Sequence, residues 1–167
     1  MNRYGQSRPK EGSIYKRSDT KTPRPTSTPN AGSYYGKSED YRDAEHWVMA
    51  IDEYTMAIQL DPDYDLAYAN RGYSYEELGQ YQNAISDYTK SIQLDPDYAG
   101  TYNNRGYSYA NLGQDQTAIT DYTKAIQLDP DYASAYNNRS LAYRALGQPA
   151  LADADKTMAC SLDSKYC

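Results

Sequence analysis

The strongest constraint on this chain is its 34-residue period: SIQLDPDYAGTYNNRGYSYANLGQ returns one period later as AIQLDPDYASAYNNRSLAYRALGQ. A period of this length, with no long apolar run, is the signature of stacked helical hairpins, none of which can bury its apolar face alone. Aligned copies occupy residues 65–98, 99–132 and 133–166, designated repeats one to three, and a degenerate repeat zero fits 31–64. Pro62, Pro96 and Pro130 fall at repeat position 32, Gly79, Gly113 and Gly147 at position 15, and Ala84, Ala118 and Ala152 at position 20.

Punctuation predicts two helices per repeat. The first is expected from about position 2 to 14, ending at a glycine that can take the left-handed conformation of a helix C-terminus. The second is expected from about 17 to 30, ending before Asp-Pro, because proline lacks an amide donor and disfavours helix in the residue before it. Asp63, Asp97 and Asp131 then stand where the N-cap of the next helix belongs. In repeat zero the first helix is expected from about Ser33 to Glu45, without the glycines at positions 8 and 15 and with Trp47 at position 17. Connections this short make neighbours antiparallel.

These residues carry a family resemblance. Tyr102, Gly106, Tyr109, Ala118, Tyr122, Ala125 and Pro130, at positions 4, 8, 11, 20, 24, 27 and 32, resemble the tetratricopeptide repeat pattern in strict register. The resemblance implies an all-α fold, a right-handed α-solenoid of antiparallel helix pairs with a concave groove. It also implies a scaffold that holds an extended peptide segment of a partner protein.

The chain has 21 tyrosines and no phenylalanine. Fifteen occupy four repeat positions, 4, 11, 24 and 34, which is the distribution of packing residues. A ring with a polar tip fills the space between helices while its hydroxyl reaches water or a backbone group. Charge repeats too. Position 7 is Lys37, Arg71, Arg105 and Arg139, and position 23 is Glu53, Asp87, Asp121 and Asp155. The shared sign predicts an ion pair between first and second helices, within one repeat or across neighbours, which would fix register more than it adds stability. In repeat three, positions 21, 24 and 28 become Asp153, Lys156 and Cys160, the polar outer face expected where stacking stops.

Residues 1–30 follow another regime. Seven Lys and Arg against two acids leave this segment at +5, so the remainder carries −11 of the net −6. With few apolar residues and a Pro/Ser/Thr-rich end, it is read as a disordered basic tail, and residues 31–167 as the array. No secretory or membrane-spanning stretch is present, so the expected location is cytoplasmic. Cys160 reads as a packing residue and Cys167 as an exposed thiol, with no disulfide framework or metal set.

Catalysis is not expected. His46 is the only histidine, no nucleophile is placed near it by the register, and the glycines are isolated rather than gathered in a phosphate loop. No cofactor, metal or small-molecule substrate follows, and neither nucleic acid nor membrane is an expected partner. Function is read into the groove, which in tetratricopeptide arrays is lined by positions 2, 5, 6, 9, 12 and 13 of the first helices. Asn70, Asn104 and Asn138 at position 6, with Asn103 and Asn137 at position 5, resemble the asparagines with which family members hold a bound strand. Each amide can donate and accept, so the ladder could pair with a peptide backbone, or it could satisfy neighbouring helices. Tyr73, Tyr107 and Leu141 at position 9 could receive apolar side chains.

The carboxylate clamp for acidic chaperone C-termini needs lysine at position 5 and asparagine at 9 of one repeat, asparagine at 6 of the next, then lysine at 2 and arginine at 6. This chain has Ala69 and Tyr73, then Asn104, then Ser134 and Asn138. With Arg144 the one groove cation, and Glu76 and Glu77 acidic, a neutral or basic peptide fits better. The alternatives are weak contact of the basic tail with nucleic acid or an anionic membrane, and self-association of an otherwise monomeric array.

Overall fold

The computed structural model describes residues 30–43 and 45–167, all helix and turn. Eight α-helices follow one another among these residues: α1 Ala31–Asp43, α2 Trp47–Leu60, α3 Asp65–Glu77, α4 Tyr81–Leu94, α5 Ala99–Asn111, α6 Asp115–Leu128, α7 Ala133–Ala145 and α8 Pro149–Leu162, then a 3-10 turn at Ser164–Tyr166. They form two compact units, α1 to α4 and α5 to α8. Within the first, α1 pairs with α2, α2 packs on α3, and α3 pairs with α4. The second repeats this order through α5, α6, α7 and α8. The segment read as a disordered tail lies outside the described residues apart from Asn30.

Second helices run from position 17 to 30 as expected, but first helices run from position 1 to 13, one residue early. In repeat zero the helix is Ala31–Asp43 rather than 33–45. The turns before the first helices also differ from expectation. The aspartates at 63 and 131 do not cap; Tyr64, Tyr98 and Tyr132 occupy the N-cap positions with no side-chain cap bond. The turn is held instead by the aspartate before the proline. Asp61 and Asp129 accept from the amides of Asp63 and Asp131 at 3.2 and 3.1 Å, and Asp163 does the same for Lys165 at 3.0 Å. An Asx turn of this kind occupies the residues that a cap would have used.

First helices end in a Schellman closure. Gly79, Gly113 and Gly147 have φ of 70°, 78° and 71°, and the next amide reaches back to the position-11 carbonyl, Gln80 to Tyr75 at 2.8 Å, Gln114 to Tyr109 and Gln148 to Tyr143 at 2.9 Å. Repeat zero makes the same closure without glycine. Glu45 takes φ of 58° and the His46 amide bonds to the Tyr41 carbonyl at 2.8 Å.

The first three hairpins pack on alanines and one tyrosine of the second helix, and the fourth on Ala152 and Ala159 without a tyrosine. Ala50, Tyr54 and Ala57 are inaccessible to solvent in the first unit, beside Ile58 and Ala67. Ala118, Tyr122 and Ala142 are equally inaccessible in the second, beside Ala110 and Ile119. In repeats one and two the ring at position 24 stands against glycine at position 8, whereas repeat zero combines Tyr54 with a buried Ser38 there. A Cβ on Gly106 would stand 2.8 Å from Tyr122 Cε1, and one on Gly72 3.0 Å from Tyr88 Cε1. Repeat three, with Lys156 in place of the ring, carries Ser140 there.

The recurring ion pair forms within each repeat. Arg71 grips Asp87, Arg105 grips Asp121 and Arg139 grips Asp155, each through two bonds of 2.7–2.8 Å, and Lys37 pairs with Glu53. A neighbouring repeat contributes as well. Arg71 donates to Thr55 and Arg139 to Thr123, both at 3.0 Å. Each arginine also lies between two rings, those of Tyr68 and Tyr75, Tyr102 and Tyr109, or Tyr136 and Tyr143, at 5.7–6.0 Å. Burial pushes the Asp87 carboxyl above its ordinary range while Arg71 pulls it back. The charges at positions 7 and 23 are therefore not independently solvated.

One sequence reading is overturned at the end of α8. Cys160 and Cys167 are not a packing residue and a free thiol; they form a disulfide. Position 28 is isoleucine in the three earlier repeats, and Cys167 stands one period after Ala133, the first residue of α7. The bond therefore ties the chain to α8 at that register position, and the neighbouring Tyr166 is buried. The other polar substitutions of α8 are also engaged: Asp153 accepts from Arg144 at 2.8 Å, and Lys156 donates to Asn137 at 3.1 Å.

Candidate functional site

In the first unit the position-6 asparagine does not stand open. Asn70 is buried, donates to the Tyr35 hydroxyl at 2.7 Å and accepts from Arg42 at 3.4 Å. Arg42, itself 7% exposed, also holds Glu39 at 2.7 Å and Asp43 at 2.9 Å. Tyr54 donates to the same Glu39 oxygen. Burial works against the Arg42 charge, but Glu39 and Asp43 outweigh it and hold the guanidinium protonated above its ordinary range. Burial likewise pushes the Tyr35 and Tyr54 hydroxyls upward, so both remain donors. This network joins α1, α2 and α3 through groups that are all bonded, the condition under which a buried polar cluster rigidifies rather than weakens a fold.

Arg42 corrects the sequence reading that Arg144 is the one groove cation. It occupies groove position 12 of repeat zero, and the signal that could have found it was the register extended into that repeat. Glu76 is 4% exposed and accepts from the Tyr88 hydroxyl at 3.2 Å, which leaves Glu77 as the exposed acid at that end. Tyr73 is half-buried, its ring edge-to-face with Trp47 at 5.8 Å.

The second unit gathers its asparagines. Asn138 donates to Asn103 at 3.0 Å, and Asn103 donates to Asn104 at 3.4 Å and to the Tyr132 hydroxyl at 3.5 Å. Asn103 and Asn104 are buried, as is Asn137, which accepts from Lys156 instead. Asn138 and Tyr107 are half-buried, as is Leu141, three residues beyond Asn138 on the same face of α7. The structure thus brings Asn103, Asn104 and Asn138 together, turns Asn137 toward α8, and places Asn70 and Tyr73 in the other unit. Sequence showed the ladder; it could not show that most of its bonding capacity is spent between helices.

Among the described residues no cluster of three or more potential ligands could hold a metal ion, and no helix is long and apolar enough to cross a membrane.

Comparison with known proteins agrees with this architecture. Tetratricopeptide repeat profiles match residues 66–98 and 87–120, and a TPR repeat profile matches 40–79 and 108–147. No curated protein matches the chain. Among solved structures, a crystal structure of MamA is 26% identical with a TM-score of 0.78, covering 81% of this chain and 80% of its own. The first TPR of Spaghetti (RPAP3), bound to the HSP90 peptide SRMEEVD, is 27% identical with a TM-score of 0.70, covering 71% and 94%. The TPR domain of Arabidopsis OM64 is 25% identical with a TM-score of 0.67, covering 68% and 94%. Register, hairpin pairing and these matches converge: the chain belongs to the tetratricopeptide repeat family, with its all-α solenoid fold.

Proposed function

We propose that this chain is a non-catalytic scaffold that holds an extended peptide segment of a partner protein along its first helices. Tetratricopeptide relatives serve as protein-interaction modules, and one structural neighbour carries a bound peptide. The observation that carries the reading is the half-buried Asn138 amide, fixed by Asn103 at 3.0 Å beside Leu141: a preset polar group next to an apolar one. Such a pair can meet peptide backbone and side chain in succession, and its fixed rotamer lowers the ordering cost of binding.

In this proposal Tyr107 and Asn138 of the second unit contact the ligand, with Asn138 held by the bonded Asn103 and Asn104 while Asn137 is bonded to Lys156; in the first unit Tyr73 is the contact residue and Asn70 is bonded within its own unit. The ligand is neutral or basic, since the cations of the carboxylate clamp are missing and Arg42 is occupied by its own acids. A cytoplasmic place of action belongs to the same proposal.

A displayed library of random peptides, panned on the intact protein, tests the reading. Enriched sequences should bind the unmodified protein and lose at least about tenfold in affinity on a folded Tyr107→Ser, Asn138→Ala variant. Enriched peptides that bind both proteins equally would reject this face.

A further inference from the structure

The outer face of α2 departs from those of α4 and α6, and α8 shares its apolar residues, with Leu151 and Met158 50% and 41% exposed, but contains Lys156. Val48, Met49, Met56 and Leu60 are 62%, 52%, 39% and 53% exposed. At 100° per residue Met49, Met56 and Leu60 form one stripe, with Asp52 beside it. The same positions are Gln82, Asn83, Lys90 and Leu94 in repeat one and Gln116, Thr117, Lys124 and Leu128 in repeat two. The fold therefore does not require an apolar residue at the first three. Helix α2 also contains no lysine or arginine, and Asp61 and Asp63 stand exposed just beyond its C-terminus. A contiguous exposed apolar stripe bordered by one sign of charge is the mark of a docking surface for a segment of complementary composition.

Such a segment precedes the fold. Residues 1–29 hold seven cations, and only at Ile14, Tyr15, Lys16 and Arg17 do two adjacent apolar side chains meet two adjacent cations. The chain enters α1 at Asn30, whose side chain accepts from the Ser33 amide at 2.9 Å. That end of α1 lies beside the end of α2, as the stacked rings of Tyr35 and Tyr64, 4.9 Å apart, record. The thirteen steps from Arg17 to Asn30 can span up to about 45 Å. The 14 residues of α2 measure about 21 Å, so the whole stripe is within reach. Lys16 and Arg17 would also supply the positive charge that a helix C-terminus favours and that the last turn of α2 lacks.

We propose that Ile14, Tyr15, Lys16 and Arg17 dock on the outer face of α2 of the same chain. The apolar pair covers Met49, Met56 and Leu60, and the cations face Asp52 and the acidic turn at Asp61 and Asp63. This inference does not rest on the peptide-binding face.

The four methionines of the full chain, Met1, Met49, Met56 and Met158, offer a direct test by methyl NMR with a soluble paramagnetic probe. The unmodified chain is compared at low concentration with the Ile14→Ser, Tyr15→Ser, Lys16→Ser, Arg17→Ser variant, whose changes all lie outside the described residues. The Met49 and Met56 methyls should shift and lose protection in the variant, with Met158 unchanged as the internal reference. Identical Met49 and Met56 signals in the two proteins overturn the proposal. Protection that appears only as concentration rises and survives the substitutions assigns the face to a second copy, and overturns it as well.

Discussion

Arg71 and Asp87 face each other across one hairpin, joined by parallel bonds of 2.7 and 2.8 Å, with the Arg71 guanidinium held between the rings of Tyr68 and Tyr75. Thr55 of the preceding repeat accepts a third bond from the same guanidinium. One side chain therefore fixes the pairing within a hairpin and the register against its neighbour.

Removing one member should cost more than the pair adds. Asp87→Ala leaves a largely buried guanidinium unpaired and is expected to lower stability by about 3 kcal/mol, whereas Arg71→Lys loses the paired geometry at a cost of about 1–2 kcal/mol. Urea unfolding measures both. The exchange Arg71→Asp with Asp87→Arg should recover part of either single reversal, and a double variant no better than the singles would exclude a pairwise role.

Two glycines in first helices should respond oppositely to alanine. Gly106→Ala drives a Cβ to within 2.8 Å of Tyr122 Cε1 and 3.2 Å of the Ala118 carbonyl. Overpacking of this kind costs about 1–3 kcal/mol. Gly36 has open space around it, so Gly36→Ala should gain about 0.5–1 kcal/mol from helix propensity alone. Thermal melts of the two variants should move in opposite directions.

Glu45 holds a left-handed conformation that repeats one to three give to glycine. Glu45→Gly should raise stability by about 0.5–1 kcal/mol through relief of that conformation, and Gly79→Ala should lower it by about 1 kcal/mol. A destabilised Glu45→Gly protein would mean that the glutamate side chain contributes more than its backbone costs.

The Cys160–Cys167 bond closes a loop of eight residues, for which chain entropy gives about 2–2.5 kcal/mol. Dithiothreitol should lower the melting temperature of the unmodified protein and leave Cys167→Ser unaffected. Alkylation with and without reductant reads the thiols directly.

Much of this protein was legible in residue order. The second helices fell at the expected positions because Asp-Pro ends a helix by removing a donor, a local effect that needs no neighbours. The caps of the first helices fell on Tyr64 and Tyr132 rather than Asp63 and Asp131 while Asp61 and Asp129 hold the turn, and two aspartates two residues apart cannot be ranked as caps from sequence. The ion pair was visible because both charges changed together in repeat zero, Lys37 with Glu53, as they recur together elsewhere. The disulfide left no repeating trace, since it joins two residues that occur once.

The 34-residue period, through helix propensity and punctuation, determined the number, polarity and pairing of the hairpins, and with them the family. Which polar groups remain available for a ligand was decided only by tertiary packing. Asn70 and Asn104 occupy the same register position as Asn138, yet the first two are buried and Asn138 stays half-buried. An amide side chain bonds equally well to a neighbouring helix or to a bound strand. Distances to Tyr35, Arg42 and Asn103, absent from any linear pattern, make that choice.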